Sequence, residues 1–523
     1  MEILKKYWEE KTLVCILLLA FISRFVAVVF AKGFGMHDDH YLIIEAAQSW
    51  VDGTDYNNWL PGSDGNAGPS GHSFFYVGLN YIFLTIINWL GIDNPQSKMF
   101  FIRLIHALWS LLVVYYGYKI IEKASDKKIA ARAALLLALL WFFPWISVRN
   151  LAEVVAIPFL MWASWLIYKK DNLNIFSKEF FWAGVLLAMA FSVRFQVALF
   201  IVGIGIAMLI KMQWKPILLM TMGFLTSVFV LQGVVDWVLW GRPFAEMQVY
   251  IQYNIDHSND YIVSSWYTYL LLIGGILLPP VSLFLFAGFL KIWKKYLLLF
   301  LPTFIFLLFH SSFPNKQERF VLTVIPFFII AGVLGWELIT RESEFWKRRK
   351  NFIKVSWIIF WTLNFILMPF ISTHYSKKAR VESMVYLSKY LKNEADKLKY
   401  SQSYYLMVEN QNASSTKLPA EFYLGHWILA YDVNATCSVD SVYNYWVVKN
   451  PDWVPRFILF EENKNLDARI ANMKKYFPNI EYETTIEPGF IDNLLYKLNP
   501  INANQTITIY RNRDFYPQKI KSE

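Results

Sequence analysis

The sequence predicts a mainly α-helical protein that crosses a membrane many times and ends in a smaller soluble α/β domain. Of its 523 residues, 56% are hydrophobic and only 17% are charged, a composition that is typical of a chain embedded in lipid. The charge is unevenly placed, since 36 of the last 152 residues are charged against 54 of the first 371. We therefore expect a transmembrane domain over residues 1–371 and an accessory α/β domain over residues 372–523.

Apolar stretches long enough to span a bilayer recur through the first domain. About eleven crossings are predicted, at 12–30, 100–121, 129–146, 150–168, 180–193, 196–211, 216–239, 265–289, 297–310, 319–338 and 355–371. The segment 74–90 is expected to dip into the membrane or to lie on its surface without crossing. The first stretch resembles a signal peptide, but it lacks a small-residue cleavage site and is interpreted as a retained span.

The orientation of the chain follows from the positions of its lysines and arginines, which favour the cytoplasmic side. Basic loops lie at 123–128, 169–170, 211–215, 291–295 and 341–350. The net charge of +10 is therefore assigned to cytoplasmic loops, and no nucleic-acid partner is expected. The opposite face collects the segments 31–74, 149–150, 240–264 and 311–318. An odd number of crossings places the C-terminal domain on that extracytoplasmic face.

In the C-terminal domain, residues 379–399 and 465–477 have the pattern of amphipathic helices. Short apolar runs at 404–408, 427–431, 445–448, 457–460 and 506–510 have the pattern of strands. Together they predict a small α/β domain.

The first outer loop carries two adjacent carboxylates between two histidines, His37-Asp38-Asp39-His40. One interpretation is a solvated loop in which an aspartate caps the following helix. A second is a metal site, although neighbouring residues rarely point at one ion. A third is a carboxylate general base at the membrane surface.

A second outer segment, residues 240–264 followed by Trp266 and Tyr269, mixes aromatic rings with amides and acids, which is typical of a sugar-binding surface. The alternative is an aromatic belt at the membrane interface. The candidate substrate-binding residues are Tyr253, Asn254, His257, Asp260, Tyr261 and Trp266.

Cations near the outer face could bind a phosphate. Lys316 and Arg319 flank Glu318 in the turn before a span, and the alternative for them is an ordinary snorkelling flank. Arg194 lies between two apolar half-spans, a costly position that indicates function unless it pairs with a buried carboxylate. At another outer turn, Arg149 and Glu153 could pair with each other.

These motifs, in this order, resemble the lipid-linked mannosyltransferases of glycosyltransferase family 22, enzymes of the GT-C superfamily. The family's first outer loop carries His-Pro-Asp-Glu, and residues 37–40 fit it with the key acid on Asp39, while Asp38 replaces the Pro and His40 the Glu. A second motif begins with Tyr-Asn and is matched by Tyr253-Asn254, with Tyr261, Trp266 and Tyr269 following. A third, His-Lys-Glu-x-Arg-Phe, is matched by Lys316, Glu318 or Gln317, Arg319 and Phe320, with Asn315 in place of the His. Residues 192–199 look like the family's arginine-containing turn.

The resemblance implies a GT-C fold and an integral-membrane glycosyltransferase. Such an enzyme would transfer a hexose from a polyprenyl- or dolichyl-phosphate donor to a glycan or glycolipid acceptor on the extracytoplasmic face. The resemblance implies that the hexose is mannose and that the transfer inverts the anomeric configuration. Asp39, with Asp38 beside it, would be catalytic, and Lys316, Arg319 and Arg194 would bind the donor phosphate. His37, His40 and Glu318 join the substrate-binding candidates. No metal and no cofactor are expected.

Two other functions remain open from the sequence. A flippase or transporter of lipid-linked saccharide would also place ionisable groups in the membrane, but it favours a midplane site and repeated halves. A glycan ligase would share the topology and differ in its donor. A bacterial inner membrane is favoured as the location, with the ER membrane as the alternative.

Overall fold

The computed structural model of the protein describes residues 8–56, 58–61, 68–170, 175–260, 263–395, 405–450, 453–499 and 506–514. The chain is mainly helical, with a small sheet near its C-terminus. Up to the end of the membrane region, the helices are Thr12–Phe30, His37–Asp39, His40–Glu45, Ala46–Val51, Phe74–Trp89, Pro95–Ala124, Lys127–Leu139, Phe143–Ile146, Ala152–Tyr168, Lys178–Val193, Phe195–Val197, Ala198–Ile210, Trp214–Val228, Phe229–Val234, Val235–Trp240, Ala245–Asp256, Thr268–Ile276, Val281–Lys291, Leu297–Ser312, Glu318–Val324, Ile325–Glu342, Glu344–Lys347 and Lys350–Ser372.

Within the described residues, five helical runs are long and apolar enough to cross a membrane. They are Thr12–Phe30, Pro95–Ala124, Trp214–Trp240, Glu318–Glu342 and Lys350–Ser372. Several other helices are apolar but shorter, among them Phe74–Trp89 and Ala152–Tyr168. The prediction of a polytopic helical membrane protein is confirmed, while the number of about eleven crossings stays a prediction.

Two predicted spans are not continuous helices. The stretch 129–146 divides into Lys127–Leu139 and Phe143–Ile146. The stretch 265–289 forms two helices, Thr268–Ile276 and Val281–Lys291, because the chain leaves the helix at the Pro279-Pro280 pair. A proline has no N–H to donate and its ring clashes with the preceding turn. Apolar composition alone cannot locate such a break.

Small residues allow some of these helices to approach closely. A Cβ atom added to Gly184 would lie 2.1 Å from the carbonyl oxygen of Met220, and one added to Gly223 would lie 2.1 Å from the carbonyl oxygen of Phe181. The helices Lys178–Val193 and Trp214–Val228 therefore touch backbone to backbone. Such contacts are a common source of association between helices in lipid.

A buried arginine ties the first span to its neighbours. The guanidinium of Arg24 donates to the carbonyl oxygens of Leu137 at 3.1 Å and Ala138 at 2.9 Å, and to Ser110 Oγ at 2.8 Å. These carbonyls lie at the C-terminal end of the helix Lys127–Leu139, where four carbonyl groups lack helical partners. A cation is also favoured there by the helix dipole.

The two ends of the bundle differ in chemistry. At one end the basic segments contact one another: Arg341 pairs with Asp126 at 3.0 Å, and Lys291 pairs with Glu342 at 2.6 Å. At the other end the four segments expected on one face meet. Asn150 donates to the carbonyl of Asp39, the N–H of Gly71 donates to Glu246, and Val263 bridges Asn315. The bundle thus separates its basic loops from its carboxylate-rich loops.

The C-terminal part contains a five-stranded mixed sheet in the order β2-β1-β3-β5-β4. Its strands are β1 (Tyr405–Asn410), β2 (Leu429–Asn434), β3 (Phe457–Glu461), β4 (Ile480–Ile486) and β5 (Ile507–Asn512). β1 is parallel to β2 and β3, whereas β5 is antiparallel to β3 and β4. Its helices are Lys378–Ala395, Glu421–Leu424, Val439–Val442, Tyr443–Val447, Leu466–Met473 and Phe490–Leu498.

The predicted α/β character is confirmed, with one strand misplaced. Residues 445–448 were expected to form a strand but lie in and beside the π-helix Tyr443–Val447, where the N–H of Val448 donates to the carbonyl of Tyr443 instead of to a neighbouring strand. Strand β4 was not predicted, since its sequence, IEYETTI, is half polar and four of its residues are only partly buried. The predicted domain division at residues 371/372 stays a prediction.

The sheet domain docks on the segment that carries the two aspartates. The Tyr41 hydroxyl donates a hydrogen bond to the carbonyl of Leu418 at 2.6 Å, and Arg380 donates one to that hydroxyl at 2.8 Å. The backbone N–H of Phe422 donates to Glu45 Oε1 at 2.9 Å. The first outer segment is therefore held between the helical bundle and the C-terminal domain.

Candidate active site

Asp39 is held in place by hydrogen bonds from Asn150 and Ala152, at the start of the helix Ala152–Tyr168. It lies in the helical turn His37–Asp39, and its side chain is almost fully buried. Its Oδ1 accepts the backbone N–H of Ala152 at 2.8 Å, and its carbonyl accepts Asn150 Nδ2 at 2.5 Å. Because Ala152 is the first residue of the helix Ala152–Tyr168, the carboxylate occupies a helix N-terminus, which favours negative charge.

Arg319 joins both aspartates. Its Nη2 donates to Asp38 Oδ2 at 2.6 Å and its Nη1 donates to Asp39 Oδ2 at 3.1 Å. Its Nε donates to Gln317 Oε1 at 2.8 Å. The planar fork of the guanidinium thus fixes two carboxylates that are adjacent in sequence, a geometry that lysine could not reproduce.

A second ion pair extends this network. Arg194 Nη2 lies 2.9 Å from Glu153 Oε1, and Arg319 Nε lies 3.7 Å from the same oxygen. Three carboxylates and two guanidiniums therefore alternate over one small region. The possible pairing of Arg149 with Glu153 is wrong: Arg149 donates instead to the carbonyls of Lys32, Gly33 and His374. These carbonyls surround its buried side chain and leave Glu153 to Arg194.

The two aspartates differ in acidity. Burial, with a further contribution from the negative charge of Glu153, raises the pKa of Asp39 to about 6. Burial would also raise the pKa of Asp38, but the bound Arg319 guanidinium holds that pKa below its usual value. Asp38 is also half exposed. Asp39 is therefore the stronger base of the two near neutral pH.

Both aspartates line a small cavity of about 40 Å³. Its wall also includes Arg194, Arg319, His72 and Trp59. The imidazole of His72 stacks on Trp59 with ring centroids 5.5 Å apart, and burial lowers its pKa. The cavity joins two bases, two fixed cations and an aromatic ring, a combination suited to a polar substrate that bears an anionic group.

The loop that carries His72 is held by a buried acid. Glu246 Oε2 accepts the N–H groups of Gly71 at 2.6 Å and His72 at 3.2 Å. His72 and Glu246 were not among the predicted site residues, and Glu153 was considered only as a partner of Arg149. A signal was available for Glu153 alone, because it is a charged residue in an otherwise apolar helix.

The remaining predicted residues lie at different distances from this network. His37 is half exposed and 3.9 Å from Asp38 Oδ1. Lys316 is buried and its Nζ donates to the carbonyls of His310, Ser311 and Phe313, and Glu318 is exposed beside Arg319. The phosphate role of Lys316 stays a prediction.

His40 faces the C-terminal domain. Its ring is fully buried, stacks on Phe34 at 4.3 Å and on Tyr423 at 5.4 Å, and lies 3.3 Å from Glu45 Oε1. These contacts fix the turn that presents Asp39. The expected substrate-binding role of His40 stays a prediction.

The second outer segment presents its aromatic residues at the surface. Tyr253 stacks on His257 with ring centroids 4.3 Å apart, and His257 Nε2 lies 4.0 Å from Asp260. Asn254 Nδ2 donates to the carbonyl of Tyr250, and Trp266 is two-thirds exposed. Tyr261 lies outside the described residues. The expected sugar-binding role of this segment stays a prediction.

The donor set of the site offers little to a metal ion. Within the described part of the chain, no group of three or more His, Cys, Asp or Glu is arranged to hold one. All three central carboxylates already lie within 3.7 Å of the Arg319 guanidinium. The expectation of a metal-free reaction stays a prediction.

The chain combines a polytopic helical bundle, a site of carboxylates and arginines, and an α/β domain that docks on the segment carrying the two aspartates. The chain matches the model of the Alg9-like mannosyltransferase family over residues 15–418. It belongs to that family, so the predicted resemblance is confirmed and the chain is an enzyme of the glycosyltransferase class.

Two curated relatives are fungal. The chain is 26% identical to a probable Dol-P-Man:Man(7)GlcNAc(2)-PP-Dol alpha-1,6-mannosyltransferase of Schizosaccharomyces pombe over 191 residues, which is 35% of this chain and 35% of the relative. It is 22% identical to GPI mannosyltransferase 3 of Debaryomyces hansenii over 398 residues, covering 73% of this chain and 68% of that protein.

Solved structures confirm the fold. ArnT from Cupriavidus metallidurans, bound to undecaprenyl phosphate, superposes with a TM-score of 0.58 at 12% identity, over 97% of this chain and 99% of ArnT. The Archaeoglobus fulgidus oligosaccharyltransferase superposes with a TM-score of 0.55 at 12% identity, over 90% of this chain and 72% of that chain. At these identities the likeness concerns the fold alone.

Proposed function

We propose that this protein transfers mannose, with inversion, from a polyprenyl- or dolichyl-phosphate donor to a hydroxyl of a glycan or glycolipid acceptor. The observation that carries the proposal is the network in which Arg319 holds Asp38 and Asp39 at the wall of one cavity, with Arg194 beside it. Family membership supplies the mannosyl class, and the name of the fission yeast relative includes a lipid-linked mannose donor, Dol-P-Man.

Asp39 is the general base of this mechanism. The acceptor hydroxyl would enter the cavity and lose its proton to the Asp39 carboxylate as its oxygen attacks the anomeric carbon. The bond from that carbon to the donor phosphate oxygen breaks in the same displacement, which inverts the configuration at the anomeric carbon. A pKa of about 6 suits this role, because the group is largely ionised at neutral pH and still accepts a proton readily.

The leaving lipid phosphate gains negative charge as the bond breaks. Arg194 and Arg319 lie where they could receive it, each already oriented by carboxylates at 2.6–3.1 Å. Cations fixed before the reaction stabilise developing charge without reorganisation. The lipid phosphate would compete with the carboxylates for these cations, so the network would rearrange when the donor binds.

The face on which this occurs follows from the charge pattern. The site lies at the end of the bundle away from the contacts between basic loops, and lysine and arginine favour the cytoplasm. We therefore propose an active site on the extracytoplasmic face. The preference for a bacterial inner membrane over the ER membrane stays a prediction.

The test is transfer of radiolabelled sugar by the purified protein in detergent. Mannose-labelled, glucose-labelled and oligosaccharide-labelled lipid donors are offered separately with a lipid-linked glycan acceptor. Label from the mannosyl lipid phosphate should enter the acceptor. Label transferred only as a whole oligosaccharide would indicate a ligase, and movement of donor across a vesicle bilayer without bond formation would indicate a flippase.

A further inference from the structure

A cleft larger than the cavity at the aspartates shares no lining residue with that cavity. It has a volume of about 830 Å³ and opens between the helices Lys127–Leu139, Ile325–Glu342 and Lys350–Ser372. Arg341 lines it and pairs with Asp126, which places its mouth at the end of the bundle where the basic loops meet. The proposed mannosyl transfer uses none of its residues.

The cleft follows one face of the helix Lys350–Ser372. The lining residues of this helix recur at the i, i+3, i+4, i+7 spacing from Lys350 to Phe365, which defines a single helical face. At 1.5 Å per residue this face is about 22 Å long. The hydrocarbon layer of one leaflet is about 15 Å thick, so this helical face is long enough to extend through a whole leaflet.

The chemistry of the cleft changes along its length. Its deep part is lined by apolar and aromatic side chains, among them Leu135, Trp361 and Phe365. Its mouth carries the tryptophans Trp336 and Trp346 together with lysines and arginines. Tryptophan and basic residues gather at the level of lipid headgroups.

Cations outnumber anions at the mouth. Its lysines and arginines are Arg132, Arg341, Lys347, Lys350 and Lys354, whereas Glu337 is the one acid that lines the cleft. Both arginines pair with Glu337 and Lys347 pairs with Glu344. Within the part of the chain that the structure describes, no carboxylate pairs with Lys350 or Lys354. These two lysines project one helical turn apart, over the opening.

We propose that this cleft holds one anionic phospholipid of the leaflet on the basic side of the membrane. Its acyl chain lies along the face of the helix from Trp357 to Phe365, and its phosphate is bound by Lys350 and Lys354. The lipid fills the space beneath a helix that leads directly to the C-terminal domain. A neutral lipid or an apolar peptide in the cleft would leave the positive charges of both lysines without a negative partner.

The test is native mass spectrometry of the full-length protein released from detergent. Phosphatidylglycerol and phosphatidylcholine with identical acyl chains are added in turn, and polyprenyl phosphate is added as a third probe. Wild-type protein should retain one phosphatidylglycerol in preference to phosphatidylcholine. Each cation near a charged headgroup contributes about 1 kcal/mol, so K350Q/K354Q should bind phosphatidylglycerol about 30-fold more weakly.

A matched variant controls for loss of positive charge in general. K294Q/K295Q removes two exposed lysines from another basic loop, outside the cleft, and should bind phosphatidylglycerol like wild type. A second variant, Thr362→Trp, fills the apolar part and should reduce retention of the lipid without changing the charge. Equal retention of the two phospholipids, or equal loss in both double variants, would overturn the proposal, as would displacement of phosphatidylglycerol by equimolar polyprenyl phosphate.

Discussion

Replacing Asp39 by asparagine separates its chemistry from its structural role. The amide oxygen can still accept the N–H of Ala152, now 2.8 Å from Asp39 Oδ1, so the turn should keep its shape. The amide nitrogen would face Arg319, but that guanidinium keeps Asp38 at 2.6 Å and Glu153 at 3.7 Å. Arg319 is thus not left alone, and the loss of stability should be smaller than the ~3–5 kcal/mol typical of a buried pair that loses one partner.

The loss of activity should be much larger. Removing a general base typically lowers the rate about 10²–10⁴-fold, which corresponds to about 3–5 kcal/mol in the activation free energy. We expect Asp39→Asn to lower kcat by this factor while donor binding, expression and thermal stability in detergent stay near wild type. The assay is radiolabelled mannosyl transfer at saturating donor.

Asp38→Asn is the matched control, since it changes the neighbouring carboxylate on the same guanidinium. It should retain measurable turnover, because Asp38 is half exposed and its pKa lies below the usual value. Greater loss in Asp38→Asn than in Asp39→Asn would make Asp38 the base. Full activity in both variants would refute a carboxylate base in this loop.

The pH dependence of kcat/KM independently tests whether Asp39 is the general base. A general base must be ionised, so kcat/KM should be constant above the pKa of Asp39, about 6, and fall tenfold per pH unit below it. If Asp38 were the base, the fall would begin below the usual aspartate pKa of about 3.9. A profile that is flat down to pH 4.5 would therefore contradict the assignment to Asp39.

Three further predictions concern other contacts. Arg319→Ala should raise donor KM and lower kcat together, whereas Arg319→Lys should recover only part of the activity because the two-pronged geometry is lost; equal activity in all three proteins would exclude phosphate binding. Gly184→Val should lower the Tm in detergent, because its Cβ would lie 2.1 Å from a backbone carbonyl of the neighbouring helix, while Gly205→Val, with open space around it, should not. Arg380→Ala removes a bond to Tyr41 and should speed proteolytic release of the C-terminal domain, measured by limited digestion; an unchanged digestion rate would count against this contact as a clamp.

The fold class could be predicted because lipid imposes simple rules on a sequence. Apolar stretches of spanning length predicted a helical membrane bundle, and the helix and strand patterns after residue 371 predicted the small sheet near the C-terminus. The Pro279-Pro280 pair was recognised as an interruption of the stretch 265–289, but two separate helices were not predicted, because prolines are tolerated in membrane helices when neighbours satisfy the freed carbonyls. Strand β4 was missed because the alternation of apolar and polar residues in Ile480-Glu481-Tyr482-Glu483 stops at the Thr484-Thr485 pair, where the pairing with β5 is also irregular.

The candidate site was only partly predictable for a different reason. Asp38 and Asp39 were singled out as adjacent carboxylates between two histidines. Arg194 was singled out as a charge between two apolar half-spans, and Arg319 as a cation in the turn before a span. Their pairing joins segments up to 281 residues apart, and no local pattern encodes such a contact. His72 could not be predicted, because its place in the cavity depends on Glu246, a residue of another helix.

The central claim is that the chain itself forms a new glycosidic bond with mannose from a lipid phosphate. The most direct measurement is incubation of the purified protein with a mannosyl lipid phosphate and a lipid-linked glycan, followed by NMR of the isolated product. We predict one added mannose whose anomeric configuration is opposite to that of the donor. A product with retained configuration, or unchanged acceptor with a wild-type protein that binds both substrates, would contradict the account.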